Sequence, residues 1–189
     1  MGAFDYVAVL ISIVLGLGIT NVLTGLAGIV RARDRVTMFA PTVILLVDVF
    51  VIHVQMWWSM FGLREVRHWN FASFLAVLMQ PVLIYMVSAF LVPAIPEKGP
   101  VDLKAQYFRE HAWVFGALIL TLGDSLLRNV LLAGHLPEPP DLAAHGAFFV
   151  LSVVGMLSRG PRVQLALALA LATTALLVVY VGALFMQLR

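Results

Sequence analysis

Apolar residues in this chain come in long runs, broken by short polar stretches, with no sustained period-two alternation. A bilayer-crossing helix needs about 20 mostly apolar residues. Six runs come near or exceed that length, at 4–30, 38–61, 71–95, 112–133, 142–157 and 163–188. The breaks read RARDR, REVRHWN, PEKGPVDLKAQYFREH, GHLPEPPD and SRGPR, with Pro and Gly as the breakers. The fifth run, between PEPPD and SRGP, is short, and a re-entrant segment is its alternative reading. In the third break Pro100 suits a first helical position, and Val101, Ala105, Phe108 and Ala112 share one face. The fourth helix is therefore expected to begin outside the bilayer, near Val101. The fold class is all-α: a polytopic bundle of six transmembrane helices, one domain over 1–189, with no soluble domain.

Composition agrees. Apolar residues make up 62% of the chain and charged residues 12%, about half the usual charged share of soluble domains. Mean hydropathy is +1.00. The absence of cysteine excludes disulfides and thiolate ligands. The start, MGAFDYVAVL, has no basic n-region and no small-residue cleavage site, so the first span reads as retained. Tyr6 removes the myristoylation pattern.

A net charge of +2 does not point to nucleic acid, because the basic residues sit in short loops. There they orient the chain. The breaks after spans one, three and five hold Arg31, Arg33, Arg35, Lys98, Lys104, Arg109, Arg159 and Arg162. The opposite side holds Arg64, Arg67 and Arg189, with Arg128 near it. That imbalance expects an inner-membrane protein of a bacterial type with both termini extracytoplasmic. Tyr6, Trp57, Trp58 and Trp69 then form the outer aromatic belt, and Phe39, Tyr107 and Trp113 the inner one.

On the first helix Ser12, Gly16, Thr20, Thr24 and Gly28 recur every four residues, a ridge that permits close backbone approach. The ridge is expected to pack inside the molecule, with a dimer seam as the alternative. Ala166, Ala170 and Thr174 repeat the spacing more weakly. LGLGITNVL at 15–23 faintly echoes LGDSLLRNVL at 122–131, and LIYMVSAFL at 83–91 echoes VVYVGALFM at 178–186. A weak inverted repeat of three plus three spans is one way to read these echoes.

The chemistry lies in polar residues at membrane depth. Asp48 falls near the middle of span two and Asp124 near the middle of span four. An ionisable group there costs on the order of 2.5–3.5 kcal/mol on insertion scales. Asp124 and Arg128 have the i,i+4 order that suits an ion pair. Asp48 shares a face with Gln55, while His53 points roughly 140° away from Asp48. Gln80 precedes Pro81, which frees a carbonyl in span three, and Asn21 lies in span one. Asp48, Gln55, Gln80, Asp124 and Arg128 thus form a candidate hydrated site for protons, cations or a small polar solute. The alternative is a structural knot, with Asp124 neutralising Arg128 and Asp48 bonded to Gln80 or Asn21.

His53, His68, His135 and His145 fall on the outer half, near Glu65, Glu138 and Asp141, and His111 lies inside. No pair has the compact HxxxH spacing of a metal motif. His53 and His145 lie at depths that a haem between spans two and five would require, so haem or metal is a minor alternative and no cofactor is expected. Gly123-Asp124-Ser125-Leu126 spells the nucleophile block of a hydrolase family. That serine belongs at the end of a strand, and this one lies inside an apolar span. GxSxG, HExxH, P-loop and GxGxxG motifs are absent, so an enzyme is not expected. The leading expectation is a small transporter or channel-like protein. A non-catalytic subunit of a larger membrane complex is the rival, and a homo-oligomer or a membrane partner accompanies either.

Overall fold

The computed structural model describes residues 3–66 and 69–187. Arg67, His68, Leu188 and Arg189, used in the span and loop readings above, lie outside them. Among the described residues six helices are long and apolar enough to cross a membrane. They are α1 (Ala3–Arg31), α2 (Ala40–Ser59), α3 (Phe71–Leu91), α4 (Leu103–Ala133), α5 (Pro139–Leu157) and α6 (Pro161–Gln187). Short 3₁₀ turns follow α1 and α2, at Arg33–Arg35 and Met60–Glu65.

Three boundaries depart most from the hydropathy pattern, each for a local reason. Helix α3 stops at Leu91 because Val92 precedes Pro93 and turns extended, at φ −65° and ψ 120°. Helix α4 does begin outside the apolar window, but Pro100 is not its first residue. Val101–Asp102 is instead a short strand, β2, that pairs in parallel with β1 (Val36–Thr37). The Asp102 carboxylate then caps α4, accepting from the backbone N–H of Lys104 (2.9 Å) and Ala105 (3.1 Å). Helix α5 starts at Pro139-Pro140, where the missing N–H groups are harmless. Its 19 residues give about 28 Å at 1.5 Å per residue. That approaches the hydrocarbon thickness, so the fifth segment is one continuous helix rather than a re-entrant hairpin.

The β1–β2 pair joins the α1–α2 and α3–α4 loops at one end of the bundle. Arg35 strengthens the tie by donating to the carbonyls of Gly99 (2.9 Å) and Pro96 (2.6 Å). This is the basic end. Gln164, fully buried at the start of α6, joins the remaining connection to it. Tyr107 Oη donates to Gln164 Oε1 (2.7 Å), and Gln164 Nε2 donates to the carbonyls of Gly155 (2.8 Å) and Ser158 (2.6 Å).

Helix contacts run α2–α3–α4–α5–α6 and back to α2, closing a five-helix ring. Helix α1 packs outside it against α2 and α3. Among the described residues α4 and α6 share no interface comparable to that of α1 with α3, so the pairings of the first three helices do not recur in the last three. The ring is most densely packed toward the basic end, where Leu46, Val87, Leu103, Val114 and Phe115 are buried.

The face of α1 that meets the ring is Val7, Ile11, Leu15, Val22 and Ile29. The small-residue ridge is not that face. Ser12, Gly16, Thr20 and Thr24 are exposed, and Gly28 is half-buried beside Ile95. Hydrophobic bulk, rather than close backbone approach, dominates this interface. The glycines that do allow close contact are Gly18, against which the His53 ring lies, and Gly25, against which Val92 lies.

Candidate functional site

The far half of the ring, away from the basic loops, forms a half-open cavity of about 210 Å³. At about 30 Å³ per liquid water, it has room for on the order of seven waters. Every ring helix contributes: Ile52 and Gln55 from α2, Gln80 and Ile84 from α3, Thr121 and Ser125 from α4, Asp141, His145 and Ser152 from α5, and Ala175 from α6. One turn closer to the basic end each wall is packed shut, by Val49, Val87, Phe115, Gly155 and Leu171. The Phe115 ring sits directly on Gly155, in the space a Cβ would take. The cavity therefore has a closed floor on the basic side.

Its polar lining is only partly satisfied. Thr121 donates its hydroxyl to the Ala117 carbonyl of its own helix (2.8 Å), the usual resting place for a mid-helix threonine. Ser125 instead reaches across to α5, with Oγ 3.0 Å from His145 Nε2. His145 Nδ1 lies 2.7 Å from the Asp141 carbonyl. A carbonyl only accepts, so Nδ1 carries a proton, and in the neutral imidazole Nε2 accepts from the Ser125 hydroxyl. Gln80 Oε1 and Ser152 Oγ are buried with no hydrogen-bond partner. Ser152 is 1% exposed. An unpaired buried polar group costs roughly 1–3 kcal/mol, so both atoms favour a hydrogen-bonding occupant.

The five residues expected to form one polar site are divided. Gln55 and Gln80 line the cavity. Asp48, 6% exposed, lies on the same α2 stripe, one turn nearer the basic end than Ile52, at the level of the floor. It bonds neither Gln80 nor Asn21: Asn21 Nδ2 donates to Ser88 Oγ (3.1 Å). Asp124 does not line the cavity; it lies in the wall of a neighbouring apolar groove between α3, α4 and α5. Its Oδ2 is buried and unpartnered. Arg128 is half-buried on the next turn but does not close an ion pair with Asp124. Arg33–Asp34 (3.8 Å) and Arg109–Glu110 (2.9 Å) are ion pairs, both toward the basic end.

His53 and His145 do not face each other. His53 is fully buried at the α1–α2 contact, with Nδ1 on the Val49 carbonyl (2.7 Å) and Nε2 unpartnered against Gly18. His145 belongs to the α4–α5 pair. That arrangement does not make a bis-histidine haem site. No group of three or more His, Cys, Asp or Glu is assembled for a metal among the described residues.

Thr121, Ser152 and the Ser125–His145 contact are the cavity groups that residue type alone did not single out for this site. No protein-family model, curated protein or solved structure matches the chain.

Proposed function

We propose that this protein is a transporter for a small, neutral, polar solute. The solute would occupy the cavity inside the ring and leave when the floor at Asp48, Phe115 and Leu171 opens. The observation that carries this reading is the pair of unpartnered atoms, Gln80 Oε1 and Ser152 Oγ, buried in a cavity walled by five helices. Neutral amides and hydroxyls dominate the polar lining, and among the described residues Asp141 is the one carboxylate on it. This favours a hydrogen-bonding solute over a bare cation. A volume below the usual 300–1,000 Å³ of drug-sized sites favours a small one.

The scarcity of Lys and Arg at the far end supports an extracytoplasmic cavity mouth and extracytoplasmic termini, in an inner membrane. The rival role, a subunit of a larger membrane assembly or homo-oligomer, draws on the exposed ridge of α1.

Stopped-flow swelling of proteoliposomes in urea or glycerol gradients tests the reading. The protein should speed solute uptake over empty vesicles. Gln80→Leu should reduce that uptake, and Ala144→Trp, which fills the cavity, should abolish it. Vesicles with folded protein that swell no faster than empty ones would retire transport of such solutes.

A further inference from the structure

Ser125 and His145 are joined in a way that packing does not require. The described threonines of α4 and α6, Thr121, Thr173 and Thr174, donate their hydroxyls to carbonyls four residues back on their own helices. Ser125 gives its proton to an imidazole on the neighbouring helix. The Asp141 carbonyl fixes that imidazole in the tautomer whose Nε2 is a base. A serine on a base, with the base oriented by a third group, is the arrangement of an activated nucleophile. Both side chains line the cavity, so the oxygen is reachable from a space large enough for water.

A second opening meets the same imidazole. The groove beside Asp124, of about 890 Å³, lies between α3, α4 and α5, and His145 is part of its wall. Apart from Asp124 and His145 it is apolar, with Met79, Leu83, Leu127 and Phe149 among its walls. At Gly123 and Gly146 no atom lies within 4 Å of where a Cβ would be, so both glycines leave the groove open. An acyl chain in this groove would present its carbonyl at His145, with the polar remainder of the molecule in the cavity.

We propose that Ser125 and His145 are a nucleophile and general base that hydrolyse a carboxylic ester on an acyl chain held in the α3–α4–α5 groove. In the first step Ser125 Oγ bonds to the ester carbon while its proton passes to His145 Nε2. The ester C–O bond then breaks, and the alkoxide leaves with the proton from Nε2. Water from the cavity next gives a proton to Nε2 and adds its oxygen to the acyl carbon. Ser125 departs and takes the proton back. Ester and water become acid and alcohol, with nothing else consumed. The backbone N–H of Ser125 is engaged within α4, so side chains must meet the developing oxyanion. Gln80, whose amide makes no hydrogen bond among the described residues, faces the same cavity and supplies the donor.

The inference shares the cavity with the transport reading, but not the passage of solute. The full chain in lipid nanodiscs is treated with a fluorophosphonate bearing an alkyl chain, and the adduct is located by mass spectrometry. The label should fall on Ser125. Its rate should drop by about 10²–10⁴ in His145→Gln, the range for a general base. Gln80→Leu should lower it by about 10²–10³, the range for one oxyanion donor. His135→Gln, exposed and outside the cavity, should label like the wild type.

If His145→Gln does not fold, release of fatty acid and alcohol from a lipid ester by the wild type, absent in Ser125→Ala, carries the test. A folded wild type left unlabelled at Ser125 overturns the proposal, as does labelling equally fast in a folded His145→Gln. Solute flux through unlabelled protein would end the dyad and leave transport standing. Labelling without flux would do the reverse.

Discussion

His53 illustrates how a single contact sets the distance between two helices. Its Nδ1 proton is spent on the Val49 carbonyl, so the Nε2 edge of the ring meets α1 at Gly18, where any Cβ would overlap it. Gly18→Ala should therefore lower stability by about 1–3 kcal/mol, the range for overpacking. Gly16→Ala, with no atom within 4 Å of the new methyl, should stay within about 0.5 kcal/mol of wild type. Denaturant-induced unfolding in mixed micelles measures both, and equal losses would refute this assignment of the α1 contact. The same logic applies to Tyr107. Its hydroxyl is the donor to Gln164 Oε1, so Tyr107→Phe strands a buried acceptor at a loss of roughly 1–3 kcal/mol. Neither contact was legible in the sequence. Gln164 and Tyr107 are 57 residues apart, and only the closing of the ring brings them together.

Helices were the most legible level, because run length decides whether a segment crosses a bilayer, and tertiary contacts barely alter that. Helix ends were less so. Pro100 looked like a helix start, but pairing of Val101 with Val36 holds the backbone extended and passes the cap to Asp102. Asp102→Ala should cost about 1 kcal/mol, typical of a lost N-cap. A loss well under half of that would mean the β1–β2 pair alone fixes the start. Helix faces were the hardest to read. The four-residue ridge on α1 has the right spacing for close packing, yet Val7, Ile11, Leu15 and Val22 form the buried stripe. Gly16→Leu should accordingly leave unfolding unchanged, and any effect should appear as an altered oligomer size in light scattering. The Ser125–His145 contact could have been counted from the turn. Ser125 lies eight residues before the end of α4 and His145 six after the start of α5, about 12 Å and 9 Å from the hairpin at 1.5 Å per residue. Similar depth on adjacent antiparallel helices was the available signal.

For the whole molecule, the ring sets how Asp48 relates to the cavity. Asp48, Ile52 and Gln55 share one stripe of α2, so Asp48 lies below the chamber at the level of the packed floor, about 6 Å from Ile52 along the axis. A carboxylate at this depth costs on the order of 2.5–3.5 kcal/mol, and the sequence showed that cost without showing what it sits beneath. Two roles make opposite predictions for Asp48→Asn. If the carboxylate draws water into the floor as it opens, the amide keeps the packing and removes the charge. Solute binding from the far end should then persist, net flux should fall tenfold or more, and stability should hold or rise. If Asp48 is structural glue, stability should drop by about 1 kcal/mol, the scale of hydrogen bonds within membranes, with flux unchanged. Because no hydrogen bond among the described residues ties Asp48 to Gln80 or Asn21, the first outcome is expected. Paired measurements of solute binding and vesicle swelling on one mutant preparation separate the two.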